Sequence, residues 1–136
     1  MNKKTFYKTR KKTTSKQVFA EDSEGNHQQI VINYLKLAYP NALYCASAGG
    51  MRTSFLQAIK MKRTGYVKGF PDLFIYEPRG SFYGLAIEMK KEKGGRVSPE
   101  QKWWQEQLRN RGYCSYICKG KDEAIKVIDE YLTLDT

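Results

Sequence analysis

The sequence predicts a mixed α/β domain, a central sheet flanked by helices on both sides in the order α-β-α-β-β-α-β-α. Three observations lead there. Apolar residues recur at helical spacing near both ends, Val31, Leu35 and Ala38 in one run and Ala124, Ile125, Ile128, Tyr131 and Leu132 in the other. The stretch "GFPDLFIYEPRGSFYGLAIEMKK" (69–91) reads as two strands joined by a turn at Pro78-Arg79-Gly80. After it, Ser98 is a good N-cap, Pro99 suits the first helical position and Gln101 completes a capping box.

Each element follows in order. The first helix starts near Ser23, with Ile30 and Tyr34 widening its stripe, and Pro40 ends it. "ALYCASA" (42–48) reads as a strand broken by Gly49-Gly50. A short basic helix over 52–62 should turn Phe55, Leu56 and Ile59 inward, and Gly65 and Gly69 bracket a loop. The hairpin follows, then the capped helix with Trp104 and Leu108 on one face, stopped by Gly112. "YCSYICK" (113–119) is a strand and "DEAIKVIDEYL" the last amphipathic helix.

The 136 residues divide into a basic arm over 1–22, read as mobile, and one domain over 23–136. No apolar run approaches the roughly 18 residues that span a bilayer, and the basic N-terminus has no apolar stretch behind it to act as a secretory signal. Three cysteines, Cys45, Cys114 and Cys118, make no CxxC pair and no zinc set with the single His27. The expectation is a reducing cytoplasm with buried, unreactive thiols.

The charge is uneven. The net is +10, and residues 1–16 hold seven Lys or Arg and no acid, leaving 17 basic against 14 acidic residues elsewhere. Between Glu24 and Asp72 there is no acid, but there are Lys36, Arg52, Lys60, Lys62, Arg63 and Lys68. A polyanion is the natural partner, although such surfaces also bind membranes and acidic proteins. Lys11 and Lys12 in the arm, with Arg52, Lys60, Lys62, Arg63 and Lys68, are the candidate DNA contacts.

Side chains alternate across a strand, so Glu88 and Lys90 share a face with Gly84 and Ala86, while Leu85, Ile87 and Met89 face the other way. The first face is small apart from its charges and reads as cleared for something to approach. If Tyr76 faces Gly84, Asp72 lies directly opposite Glu88. Like charges so opposed are unfavourable unless a cation lies between them. Mg²⁺ accepts one or two carboxylates and keeps waters and phosphate in its other positions, and Lys90 would then hold a phosphate oxygen or water. The plainer reading makes Asp72 a strand start and Glu88 and Lys90 an exposed edge pair. Glu24 and Gln101 fall on the inward faces of their helices and extend the polar set, although a first-turn acid and a capping glutamine have structural uses too.

"GFPD" followed by "GLAIEMKKEKGGRVSPEQKWWQEQLRNRGY" resembles the VRR-NUC branch of the PD-(D/E)xK nucleases, over about Glu24 to Leu132. The resemblance implies a restriction-endonuclease-like core and a Mg²⁺- or Mn²⁺-dependent phosphodiester hydrolase. Small stand-alone members are similar to virus-type junction-resolving enzymes and often act as homodimers, which implies branched DNA as substrate and a bacterial or virus-infected cell as setting. It makes Asp72 and Glu88 metal ligands with the Met89 backbone carbonyl, Lys90 the catalytic lysine, Glu24 the helix-one acid and Gln101 the added glutamine. The Val-Arg pair of the family name reads here as Arg96-Val97 and stays outside the active site.

Rivals remain at this level. There is no phosphate-binding Gly loop, no histidine-rich nuclease site and no convincing Ser/His/Asp set. A non-catalytic nucleic-acid-binding module, or a nickase or restriction-like nuclease on other DNA, uses the same residues differently.

Overall fold

The computed structural model describes residues 24–48 and 53–136, Glu24 without its side chain. The 1–22 arm, with Lys11 and Lys12, and Arg52 lie outside the described residues. The elements are α1 (Glu24–Ala38), β1 (Tyr44–Ala46), α2 (Phe55–Arg63), β2 (Leu73–Ile75), β3 (Leu85–Lys90), α3 (Pro99–Asn110), β4 (Cys114–Lys119) and α4 (Gly120–Leu132). This is the order the sequence predicts. No described helix is long and apolar enough to cross a membrane.

The four strands form one sheet in the order β1-β2-β3-β4. β1 pairs antiparallel with β2 and β2 antiparallel with β3, whereas β3 and β4 run parallel across the α3 connection. β1 is shorter than the predicted strand over 42–48, but its hydrogen bonding runs on at both ends. Tyr76 N–H donates to Leu43 O at 2.8 Å and Ser47 N–H to Asp72 O at 2.8 Å. The hairpin reverses at Gly80-Ser81, between the bridged pair Arg79 and Phe82, one residue later than the turn read from the sequence.

Leu73, Ile75, Leu85, Ile87 and Met89 fill one face of the sheet. They pack against Val31 and Leu35 of α1 and Ala124, Ile128 and Leu132 of α4. The α1 stripe is 27-31-35-39 rather than one running to Ala38, which lies exposed. Steps of four keep side chains in line on a helix, so buried His27 begins the stripe and Tyr39 ends it. His27 Nδ1 accepts the Lys121 N–H at 3.0 Å, tying α1 to the start of α4.

At the other end of these helices Asp129 Oδ1 accepts both phenols, Tyr34 at 2.6 Å and Tyr39 at 2.7 Å. Burial and the Asp129 carboxylate push the Tyr39 phenol up to about 12. Its folded value lies above its unfolded value near 10, so its contribution is complete below about pH 10 and vanishes as pH rises to about 12. Asp129→Ala should cost about 1–2 kcal/mol at pH 8 in urea unfolding. Its stability should fall less than that of the wild type between pH 10 and 12. Parallel alkaline profiles would remove the tyrosines from the account.

The other face of the sheet carries Phe74 and Ala86, packed with Leu108 and flanked by Phe70, Trp104 and Tyr113. The face read as cleared for something to approach is therefore filled by the protein itself. A Cβ on Gly84 would stand 2.9 Å from the Phe74 ring and 2.9 Å from Ile75 O, so the small residues admit an aromatic ring and α3 instead. Besides its charged end, the face holds a buried polar pair, in which the Ser115 hydroxyl beside Ala86 donates to Gln105 Oε1 of α3 at 2.6 Å.

α2 departs from the prediction in its packing. It is capped by a Ser54–Gln57 box but buries no residue. Phe55 is 80% and Leu56 76% exposed, and Ile59 is exposed as well. The periodicity is helical, but no element among the described residues covers that side.

The cysteines divide. Cys118 is buried, its thiol pushed up to about 12 by burial, and Cys114 is half-buried. Cys45 is exposed, contrary to expectation, because β1 is an edge strand with one face open. On the opposite edge, Arg109 of α3 donates from Nε at 3.1 Å and Nη2 at 2.6 Å to the Ser115 carbonyl of β4.

Candidate active site

The β2–β3 register, with Leu73 opposite Ile87 and Phe74 opposite Ala86, puts Asp72 opposite Glu88 one step beyond the ladder. This is the pairing the sequence predicts. Met89 N–H donates to Asp72 Oδ2 at 2.8 Å, so the side chain takes over where the ladder ends. Glu88 and Lys90 are only 4% and 6% exposed, which removes the reading of an exposed edge pair. Lys90 Nζ lies 3.8 Å from Glu88 Oε1, an ion pair rather than a hydrogen bond.

Gln101 does two jobs at once. Its Oε1 accepts the Ser98 N–H at 2.9 Å, closing the capping box, while its Nε2 donates to Glu88 Oε1 at 2.7 Å. One planar amide thus fixes the start of α3 and the orientation of Glu88. The rotamer of Glu88 is set from the helix and the charge beside it from the strand.

Burial drives the Asp72 carboxyl above the usual carboxylate range. The Met89 amide, a hydrogen bond with Glu88 and the Lys90 charge pull the other way without cancelling it. Two acids in hydrogen-bonding contact need a proton between them, or a cation in its place. Such a donor set fits a hard divalent ion that asks for one or two carboxylates. Among the described residues no group of three or more His, Cys, Asp or Glu forms a protein cage. Asp72, Glu88 and the Met89 carbonyl are the groups that could hold such an ion. The side chain of Glu24 lies outside the described residues.

Because the Asp72 pKa is raised on folding, its charge opposes the fold at neutral pH and ceases to do so on acidification. Asp72→Asn should therefore raise the melting temperature of the cation-free protein at pH 7, on the order of 3 °C. The gain should shrink at acid pH and reverse when millimolar Mg²⁺ stabilises only the wild type. A lower melting temperature in EDTA would show that the carboxylate is held by the fold rather than strained by it.

Lys60, Lys62 and Arg63 line the exposed end of α2, and Lys68 stands on the following loop, 3.8 Å from Glu100. α2 ends in a Schellman motif: Gly65 N–H donates to Lys62 O at 3.4 Å and Tyr66 N–H to Met61 O at 2.9 Å, with Gly65 at φ +112°. The reversal sends Tyr66 back towards the sheet. Its phenol is raised first by burial, then by the Glu88 and Asp72 charges. Sequence reasoning missed Tyr66, since nothing distinguishes it among ten tyrosines. Further on, Gly69 (φ +91°) passes so close to α3 that a Cβ would lie 2.6 Å from the Glu100 carbonyl carbon. Trp104 Nε1 donates to Lys68 O at 3.1 Å and holds that approach.

The family model for the VRR-NUC domain matches residues 10–122. The chain belongs to the VRR-NUC family. A solved structure described as a VRR_NUC domain protein superposes with a TM-score of 0.70 at 34% identity, covering 82% of this chain and 89% of that one. Another, described as a VRR_NUC domain, gives a TM-score of 0.49 at 22% identity over 77% of this chain and 97% of that one, too low to support any argument. No curated protein matches the chain. VRR-NUC is a nuclease family, and the fold, with a four-stranded mixed sheet and helices on both faces, agrees with it.

Proposed function

We propose that this VRR-NUC protein is a divalent-metal-dependent endonuclease that hydrolyses DNA phosphodiester bonds. One observation carries the reading. Buried Glu88 and half-buried Asp72 lie across from one another with buried Lys90 alongside, in a chain of a nuclease family.

Asp72, Glu88 and the Met89 carbonyl would hold Mg²⁺ or Mn²⁺, and the family resemblance adds Glu24 as the helix-one acid. A divalent ion there supplies positive charge against the phosphate and acidifies the attacking water. Lys90 is the protein's own cation at the site. Its ammonium holds the water or a phosphate oxygen and offsets charge as it develops. Gln101 is a positioning residue. By holding Glu88 Oε1 against the start of α3 it fixes the orientation of that carboxylate and leaves its second oxygen for a cation.

The basic arm, including Lys11 and Lys12, and the Arg52–Lys68 segment grip the phosphate backbone. Backbone contacts carry little sequence information, so selection by DNA shape suits this surface better than base reading. The family resemblance favours branched DNA, such as a four-way junction, cut in pairs by a homodimer. A non-catalytic DNA-binding module is the rival, since a basic arm binds DNA whatever the acids do.

The deciding test is a cleavage panel of junction, flap, nicked and linear DNA in Mg²⁺, Mn²⁺ or EDTA. Cutting should require the cation and prefer branched substrates. Binding without cutting on every substrate, unchanged in Lys90→Ala, would establish the rival. Equal cutting of linear duplex would leave the nuclease but discard the structural selectivity.

A further inference from the structure

We propose that a cavity beside the carboxylate pair holds an unpaired nucleobase of the DNA, stacked on Trp103, an inference that rests on the nuclease reading for its substrate class. The cavity has a volume of about 860 Å³ and lies between the end of α2 and the start of α3. That is in the range of about 300–1,000 Å³ found for sites that take small organic groups. Tyr66, Val67, Pro99 and Trp103 give it an apolar wall, and Lys62 and Lys68 stand in its lining. Its one acid, Glu100, is occupied by Lys68 at 3.8 Å.

Two connections tie the cavity to the carboxylates. Tyr66 lines it, and the same phenol feels the Glu88 and Asp72 charges. Pro99 and Glu100 line it and immediately precede Gln101, whose amide is 2.7 Å from Glu88. A group seated here is a neighbour of a phosphate held at Lys90.

The two tryptophans differ in a way that suits stacking. Trp104 is committed, with its Nε1–H on the Lys68 carbonyl and its ring edge-on to Phe70 at 5.0 Å. Trp103 is 50% exposed and rests edge-on against Trp104, with ring centres 5.4 Å apart and planes at 83°. A braced, half-exposed indole offers a flat surface with little ordering left to lose. Every base has a π-face, so such a platform accepts unpaired nucleotides without reading their identity. Lysines on the rim meet the flanking phosphates, which a purely apolar partner would leave unmatched. Bases that lie unstacked at a branch or flap are available for this, whereas those inside intact duplex are not. The cavity thereby gives a physical basis for preferring branched over linear DNA.

The test measures binding of the full chain in EDTA, so that it does not depend on cleavage. A forked DNA is made with one abasic tetrahydrofuran residue moved along each position of its unpaired arm. Removing one or two particular bases should weaken wild-type binding about 5- to 30-fold. Trp103→Ala should weaken binding to the intact fork by the same factor and lose the dependence on the missing base, and Trp103→Phe should restore most of both. Should Trp103→Ala not fold, the wild type still decides. Its tryptophan fluorescence should be quenched by the intact arm and not by the arm lacking the identified base. The proposal is overturned if no position in the scan matters, or if Trp103→Ala keeps the wild-type abasic profile. It is also overturned if Trp103→Ala turns a dimer into a monomer in light scattering while the profile is unchanged, which would make the cavity a subunit interface. Base-dependent binding in a protein that cuts nothing would sustain the subsite and refute the nuclease.

Discussion

Glu88→Gln should lower single-turnover DNA cleavage by about 10³-fold or more while leaving DNA binding in EDTA unchanged or slightly tighter. The substitution keeps shape and removes charge. Glu88 is buried, opposite Asp72, in contact with Gln101 and paired with Lys90. With a neutral amide there, Asp72 would be the one carboxylate left of the proposed ligand pair, and the Lys90 ammonium would lose its partner. Removing a negative group lessens repulsion of a phosphate backbone, which is why binding should not suffer. Gln101→Ala separates the positioning role from the ligand role. It should cost about 10- to 100-fold, and more of the loss should be recovered at high Mg²⁺ than for Glu88→Gln. If Glu88→Gln cuts within tenfold of wild type, the two acids are structural and the site lies elsewhere.

Deleting residues 1–16 should weaken DNA binding on the order of 100-fold at moderate salt and flatten its salt dependence. The segment carries seven of the 24 Lys and Arg residues and no acid. Each phosphate neutralised contributes about 0.9 to the slope of log affinity against log salt, so full engagement predicts a slope smaller by about 6 and half engagement by about 3. The folded domain has its own patch in Lys60, Lys62, Arg63 and Lys68, so binding should be reduced rather than abolished. Cleavage at saturating DNA should be unaffected, since the deleted residues precede every ligand named above. An unchanged slope after truncation would confine the grip to the domain.

Much of this was legible in the chain, for definite reasons. The hairpin register followed from period-two alternation anchored at one turn, and a turn read one residue early did not disturb it. The capping box at Ser98 and Gln101 was equally local. Where sequence reasoning failed, the missing information was non-local. Phe55, Leu56 and Ile59 carry a helical period, but a period cannot say whether any element lies opposite. Gly84 and Ala86 leave space, but the sequence does not say whether a ring or a ligand fills it. Both readings of Gln101 hold together because one amide has an acceptor end for the cap and a donor end for Glu88. Tyr66 was missed because its place depends on a left-handed glycine reversing the chain after α2.

The clasp of Arg109 on the Ser115 carbonyl reaches beyond the local geometry. An outermost strand with bare carbonyls is a template on which a stray chain can crystallise as a further strand, and so on into fibrils. Here the template is plugged near its start by a guanidinium that any newcomer would have to evict. Self-association by sheet continuation is thereby discouraged on that border, and whatever brings two copies together must do so through another surface.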